Sequence, residues 1–358
     1  MDERLPREFR LACPVPLQGH TTVQMAHGGG GRAMRTLIEG VFLSRFAGVQ
    51  AEHGSPRPPH DSAVLPLGES RLAFTTDTFV VSPHFFPGGD IGKLAVCGTV
   101  NDLAMAGATP RWLSAGFILE EGFSLESLDR IAASMQRTAE EAGVTIVTGD
   151  TKVVDRGKGD GIFINTAGIG VVPQGVDISP ARVAPGDVIL LSGDLGRHGI
   201  AIMSVREGLA FEGALDSDCA PLAGAVQPLV GLGADIHCLR DLTRGGLAAA
   251  LNEIAMDANV GVAIDESAIP VAPPVAGACE LLGLDPLYVA NEGRFIAIVP
   301  ESAAEESLRR MRSHPLAAEA TRIGVVRAEH AGTVELRSRS GRGRIVDLLS
   351  GEQMPRIC

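Results

Sequence analysis

Apolar residues recur along the chain at two spacings, and the switches between them outline alternating helices and strands. Behind a run of four glycines, Ala33, Leu37, Ile38, Val41 and Phe42 fall at helical spacing. The ranges 62–67 and 71–76 read as strands, and 92–106 as a helix. The best-signalled helix is 125–142, with Leu125, Leu128, Ile131, Met135 and Ala139 as its apolar stripe. Ser124 can cap its start, Glu126 suits its first turn and Gly143 can end it. A short buried strand is expected at 144–148 and a glycine-broken one at 162–172. Prolines and turn residues cluster over 173–187, which reads as a join between two domains. Beyond it strands are expected at 188–192, 295–299 and 321–326, and helices at 198–206, 243–256 and 302–312. Strands and helices mix in both halves, an α/β or α+β plan.

Composition narrows this further. A chain of 358 residues, 45% hydrophobic and 21% charged, has the makings of a large core. Aromatic residues are only 4%, so Val, Ile, Leu and Ala must fill that core. No apolar run reaches the roughly 18 residues of a membrane helix, and the charged opening MDERLPREFR lacks a signal-peptide core. The expectation is a cytoplasmic protein with no membrane partner. A net charge of −12 argues against nucleic acid. Arg337, Arg339, Arg342 and Arg344, around Gly341 and Gly343, read as a hairpin carrying solvated charges. None of the six cysteines forms a C-x-x-C pair, and only Cys358, the last residue, resists reading as an inert thiol.

Several residues could carry chemistry. Gly28, Gly29, Gly30 and Gly31 are not followed by the Lys of a Walker loop, yet their N–H groups can converge on an anion; a flexible hinge is the other reading. Asp61, Asp77, Asp102 and Asp150 fall at strand ends or turns, where they can serve as caps or hold Mg²⁺ with nucleotide phosphates. Asp77 and Asp150 sit beside threonines in apolar frames, which favours metal duty. Lys152 follows Asp150 by two and on a strand shares its face. Asn291 and Glu292 stand in a turn before a strand, and Asp241 or Thr243 can cap the helix behind Gly245 and Gly246. Each feature also has a purely structural explanation.

Together the motifs resemble the hydrogenase maturation proteins of the HypE type, in the superfamily of aminoimidazole ribonucleotide synthetase and selenophosphate synthetase. The stretches are MAHGGGGRAMRTLI, HDSAVL, FTTDTFVVSP, GDIGKLAVCGTVNDLAMAGATP, VTGDTKVV, LSGDLGRHGIAIM, DLTRGGLAAALNEIA, VANEGRF and the terminal PRIC. The last is the most discriminating, since relatives share the glycines and aspartates but not that ending. The resemblance implies a two-domain aminoimidazole ribonucleotide synthetase-like fold. Its parts would be an arm over 1–20, an ATP-binding and dimerisation domain over 21–175, a C-terminal α/β domain over 186–345 and a mobile tail over 346–358.

The implied activity is ATP-dependent dehydration of an S-carboxamide on Cys358 to a thiocyanate, the source of the cyanide ligand of [NiFe]-hydrogenase. The carbamoyltransferase HypF would load the thiol, a HypC–HypD complex would receive the cyanide, and the enzyme would work as a homodimer. A carboxamide oxygen leaves poorly, so phosphorylation must precede its loss. By resemblance Gly28, Gly29, Gly30 and Gly31 cover the ATP phosphates, and Asp61, Asp77, Asp102 and Asp150 hold Mg²⁺ and nucleotide. Lys152 and Glu292 polarise the carboxamide and take its protons, Asn291 orients it, and His198 is a further candidate. Two rivals stay open. One is a small-molecule ATP enzyme such as a selenophosphate synthetase, although Cys13, upstream of the glycines, sits in the arm. The other is a non-catalytic scaffold, against which Lys152 and Glu292 argue.

Overall fold

The computed structural model describes residues 22–46, 60–208, 215–349, 354 and 356–358. The arm expected over 1–20, Cys13 and the tail positions Ser350, Gly351 and Pro355 lie outside the described residues. Behind the glycines runs α1 (Arg32–Leu37), continued by a wider helical turn at Ile38–Leu43.

The first sheet is built from β1 (Ala63–Leu67), β2 (Ser70–Phe79), β5 (Thr109–Glu120), β6 (Thr145–Val154) and β7 (Ile162–Val172), in the order β1-β2-β7-β5-β6. Two short strands, β3 (Phe85–Phe86) and β4 (Gly89–Asp90), form a separate hairpin. All neighbours in the large sheet are antiparallel except β5 and β6. Alternation decides its two faces. Ala73, Thr75, Phe79, Leu113, Ile162 and Ile164 point inward, onto α2 (Ile91–Met105) and α3 (Leu125–Ala142). The opposite face is bare and apolar, with Phe74 42%, Trp112 48%, Ile118 45% and Val171 36% exposed.

α3 ends where its sequence says it should. Ser124 Oγ accepts from the Ser127 N–H at 3.3 Å, and Gly143 takes the left-handed cap at φ 68°. β6 departs from expectation: it is a ten-residue, mostly exposed edge strand, not a short buried one. Its apolar run has a neighbour on one side only, and within one chain no layer covers its outer face. β5 escaped the sequence reading because Pro110, Arg111 and Gly116 interrupt its alternation.

The second sheet contains β8 (Asp187–Leu191), β9 (Cys238–Asp241), β10 (Gly261–Asp265), β11 (Phe295–Pro300), β12 (Thr321–Arg327), β13 (Val334–Arg337) and β14 (Gly343–Val346). Its order is β14-β13-β10-β12-β8-β11-β9. The β13–β14 hairpin pairs Arg337 with Gly343, as the arginine spacing suggested. Around this sheet lie α4 (Arg197–Glu207), α5 (Ala223–Val230), α6 (Gly246–Asp257), α7 (Pro273–Leu282) and α8 (Ala304–Arg312). α6 begins at Gly245 in the left-handed conformation with no side-chain cap, so neither Asp241 nor Thr243 caps it.

α2 is buried on all sides because it is sandwiched between the two halves, with the first sheet on one flank and α5 and β9 on the other. One hydrophobic cluster therefore runs through both halves, joining Ile91, Leu94 and Leu103 to Leu222, Val226 and Phe295. Met354 and Ile357 belong to it, so the described end of the tail, expected to be mobile, is docked into the core. Among the described residues no helix is long and apolar enough to cross a membrane.

Candidate functional site

Three strand and helix ends bring carboxylates together where the two halves meet. Asp61 comes from the turn before β1, Asp102 from the last turn of α2 and Asp241 from the end of β9. One oxygen of each lies within 4.8 Å of the others. Thr75 Oγ1 donates to Asp102 Oδ2 at 2.7 Å, and Arg240 Nη1 is 3.0 Å from Asp61 Oδ1. Asp77 points from β2 to the same side as Thr75 and accepts the Thr78 N–H at 2.8 Å.

Burial raises the pKa of all four carboxyls, and for Asp102 and Asp241 their acidic neighbours add to it. Asp61 is raised from 3.8 to about 6, mainly by burial and against the pull of Arg240. Asp61 Oδ2 and Asp241 Oδ2 are buried with no hydrogen-bond partner. Buried carboxylates without donors are costly, and a hard divalent cation with oxygen ligands is the group that fits them. His60, beside Asp61, is held neutral: burial lowers it to about 3, and its Nδ1 accepts the Asp61 N–H at 2.8 Å.

The terminal thiol reaches this region. Beyond the last residue of β2 the chain runs on extended, and the tail lies antiparallel along it. The Val80 N–H donates to the Cys358 carboxylate, and the Ser82 N–H to the Arg356 carbonyl, each at 3.2 Å. Arg206 donates to the carbonyls of Ser82 and Arg356, while Arg356 pairs with Asp160 at 2.6 Å. Arg356 is left-handed (φ 52°), and the next residue, Ile357, is buried. The Cys358 thiol then lies against Glu292, with Arg244 and Asp77 nearby.

Burial, then Glu292, pushes the Cys358 thiol well up. Glu292 is 3% exposed; burial and then Cys219 and Asp241 push its carboxyl well up, and its Oε1 has no partner. Its backbone is fixed: its carbonyl accepts from Asn101 Nδ2 at 3.3 Å, and Asp218 accepts the Gly293 N–H at 3.0 Å. Arg244 is raised chiefly by Cys358, then by Asp77 and Glu292, and opposed by burial.

The glycine run closes the edge of this site. Gly30 (φ 71°) lies so near Arg244 that a Cβ would sit 2.7 Å from its carbonyl oxygen, and one on Gly31 would sit 2.3 Å from that of Leu349. Gly29 lines a cavity with Arg244, Met354 and Ile357, while Gly30 and Gly31 line another with His60, Arg240 and Thr243. Gly28 belongs to the same run; its carbonyl accepts from Arg244 Nη1 at 3.5 Å, and a Cβ there would meet open space.

Some expected residues stand elsewhere. Asp150 and Lys152 lie on the opposite face of the first sheet from Asp77, because Asp150 pairs with Gly116 and Asp77 with Thr166. Their side chains are 71% exposed and pair with each other at 2.7 Å, so within one chain neither joins the cluster. Asn291 is close but occupied: Oδ1 accepts the Gly196 N–H at 2.7 Å, and Nδ2 donates to the carbonyls of Leu242 at 3.1 Å and Val289 at 3.0 Å. Its side chain thus ties the turn to two distant backbone segments. Asp241, Arg240 and Arg244 were missed as site residues. Asp241 ends a strand, as Asp77 nearly does, but that strand was not expected from the sequence, so its end gave no signal.

Comparison with known proteins identifies the family. Residues 59–172 match the model of the AIR synthase related protein, N-terminal domain, and residues 184–337 that of the C-terminal domain. A carbamoyl dehydratase HypE of Rhodobacter capsulatus is 54% identical over 336 residues, covering 94% of this chain and 98% of the relative. A crystal structure of the hydrogenase maturation protein HypE in complex with ATP is 48% identical, with a TM-score of 0.78, over 94% of this chain and 100% of that one. A HypE–HypF complex gives 47% identity and a TM-score of 0.81 over 87% and 99% of the two chains. A selenophosphate synthetase-like ATP enzyme or a bare scaffold is thus set aside, and the chain belongs to the AIR synthase related family and, within it, to the HypE carbamoyl dehydratases of hydrogenase maturation.

Proposed function

We propose that this chain dehydrates an S-carboxamide carried on its own Cys358 to a thiocyanate, using ATP, and passes the cyanide on for a [NiFe]-hydrogenase. The observation that carries the reading is the docked terminal thiol, which lies against the buried Glu292 with Arg244 nearby. ATP supplies the phosphoryl group that makes the carboxamide oxygen a leaving group. Asp61, Asp102 and Asp241, with Asp77 beside them, are the residues that would hold Mg²⁺ there.

The chain's own residues account for the other needs. Glu292, with a raised pKa and a free oxygen, is placed to take protons from the carboxamide nitrogen. Arg244 offers a fixed positive charge where negative charge develops on the departing oxygen. Gly29 borders one cavity and Gly30 and Gly31 the other, and with Gly28 the run is suited to cover phosphates with backbone N–H groups. Residues 21–175 and 186–345 serve as the ATP-binding and C-terminal halves of this arrangement.

A homodimer follows from the same reading. The bare apolar face with Phe74, Trp112, Ile118 and Val171 calls for a covering layer, and a second copy of the sheet provides one. Asp150 and Lys152 stand on that face, so they serve catalysis from the neighbouring subunit. HypF, which a related structure holds in complex with HypE, is the proposed carbamoyl donor, and a HypC–HypD complex the acceptor. The test is intact-protein mass spectrometry with HypF, carbamoyl phosphate and ATP–Mg²⁺. Wild type should gain one carbamoyl group and then lose one water, both mapping to Cys358. ATP hydrolysis with no change of mass would sink the reading.

A further inference from the structure

We propose that His198 is a positioning residue that seats the reactive tail by holding the peptide immediately before Cys358. It is fully buried at the start of α4, and both its ring nitrogens are engaged. Nε2 lies 2.8 Å from the Ile357 carbonyl oxygen and Nδ1 2.8 Å from Ser217 Oγ. A carbonyl can only accept, so Nε2 carries the proton. Nδ1 then accepts from the Ser217 hydroxyl, whose oxygen accepts the Cys219 N–H at 3.0 Å. Phe86 packs edge-on against the ring at 5.4 Å and fixes its plane.

Every member of this chain of donors is thus determined, from the Cys219 backbone to the tail carbonyl. With no nitrogen free, His198 does not take a proton from the carboxamide; it acts through the Ile357–Cys358 peptide. The backbone bonds from Val80 and Ser82 fix the depth of the tail along β2's extension. His198 is the side chain that fixes the rotation of the last peptide, and so the direction in which the thiol leaves it. Burial keeps its pKa below the ordinary value, so the ring remains the neutral donor described.

The inference rests on the reading of Cys358 as the modified thiol, and the test separates the two. Full-length wild type, His198→Leu and His198→Gln are compared after confirming equal melting temperatures and ATP affinity. The first readout is the rate of iodoacetamide labelling at Cys358, followed by peptide mass spectrometry. Leucine fills the space without a donor and leaves the Ile357 carbonyl buried and unpaired. The undocked fraction, and with it the labelling rate, should rise between about five- and a hundred-fold. Glutamine can donate from its amide and should return the rate most of the way to wild type. The second readout is loss of water from carbamoylated protein in a single turnover, which should slow in the leucine variant with an unchanged KM for ATP. Equal labelling in wild type and the leucine variant overturns the proposal, as does a glutamine variant no closer to wild type than leucine. Failure of wild type to lose water sinks the dehydration reading, whatever the labelling comparison gives.

Discussion

Substituting Asp241 by Asn should stabilise the protein in chelator while abolishing its response to Mg²⁺. Asp241 lies with Asp61 and Asp102 inside a 4.8 Å cluster, and two unit charges at that separation repel by about 3.5 kcal/mol at an effective dielectric near 20. The raised carboxyls absorb part of this by holding protons. For Asp61 the rise from 3.8 to about 6 corresponds to about 3 kcal/mol. Its folded pKa exceeds its unfolded one, so the folded state keeps a proton that the unfolded state loses. Stability is full below the unfolded value of 3.8 and is lost as pH rises through about 6.

In EDTA the melting temperature of wild type should therefore fall as pH climbs across that window. Mg²⁺ should restore it, more at pH 8 than at pH 5. Asparagine removes one charge and supplies an N–H₂ donor to its neighbours, so the EDTA curve should flatten. At pH 8 the gain should be about 1–3 kcal/mol, seen as a rise of several degrees by differential scanning fluorimetry. The Mg²⁺-dependent rise should disappear, and water loss from the carbamoylated protein with it, while carbamoylation by HypF continues. A variant less stable than wild type in EDTA at pH 8, or one that keeps the wild-type response to Mg²⁺, would refute the reasoning.

Three further outcomes are expected. Glu292→Gln should accumulate the carbamoylated form and lose water at least about a hundred-fold more slowly, since an amide cannot take the proton; a smaller drop by mass spectrometry assigns the base elsewhere. Lys152→Ala and Glu292→Gln proteins, each inactive, should regain about a quarter of wild-type activity when their subunits are exchanged, because mixed dimers hold one intact site built from both copies. Continued silence of the mixture would place Lys152 in its own chain's site or in none. Inserting one alanine between Ile357 and Cys358 should spare carbamoylation but stop dehydration, since a one-residue slip turns the side chain to the other face; retained water loss would show that the docked register is irrelevant.

Local signals read well wherever structure is local. The helix over 125–142 and the strand over 162–172 appear with the predicted bounds, because a serine cap, a left-handed glycine and an apolar run ended by a proline are decided by neighbours in sequence. What depends on pairing did not read. β6 looked buried because its residues are apolar, but its place at the sheet edge is set by β5, whose own alternation is broken. The aspartates show the same division. Strand ends and turns nominated Asp61, Asp77, Asp102 and Asp150, yet the face of a sheet on which a carboxylate emerges is a matter of register, and register put Asp150 on the far side. Asp241 was hidden by a plausible local role as a helix cap, which a left-handed Gly245 makes unnecessary. Asn291 differs in the converse way: its side chain ties its own turn to the backbones of Gly196 and Leu242.

The antiparallel seat beside Val80 and Ser82 means that the substrate of this enzyme never diffuses. Tethered a short way from its pocket, the carbamoylated thiol is present at an effective concentration far above any that a free carboxamide would reach, so the dehydration step has no Michaelis constant for it. Saturation is visible only toward ATP. Each polypeptide can carry one cyanide equivalent at a time, so repeated turnover requires that its end be stripped and reloaded. The number of copies of this chain therefore caps how many cyanide equivalents can be held at once.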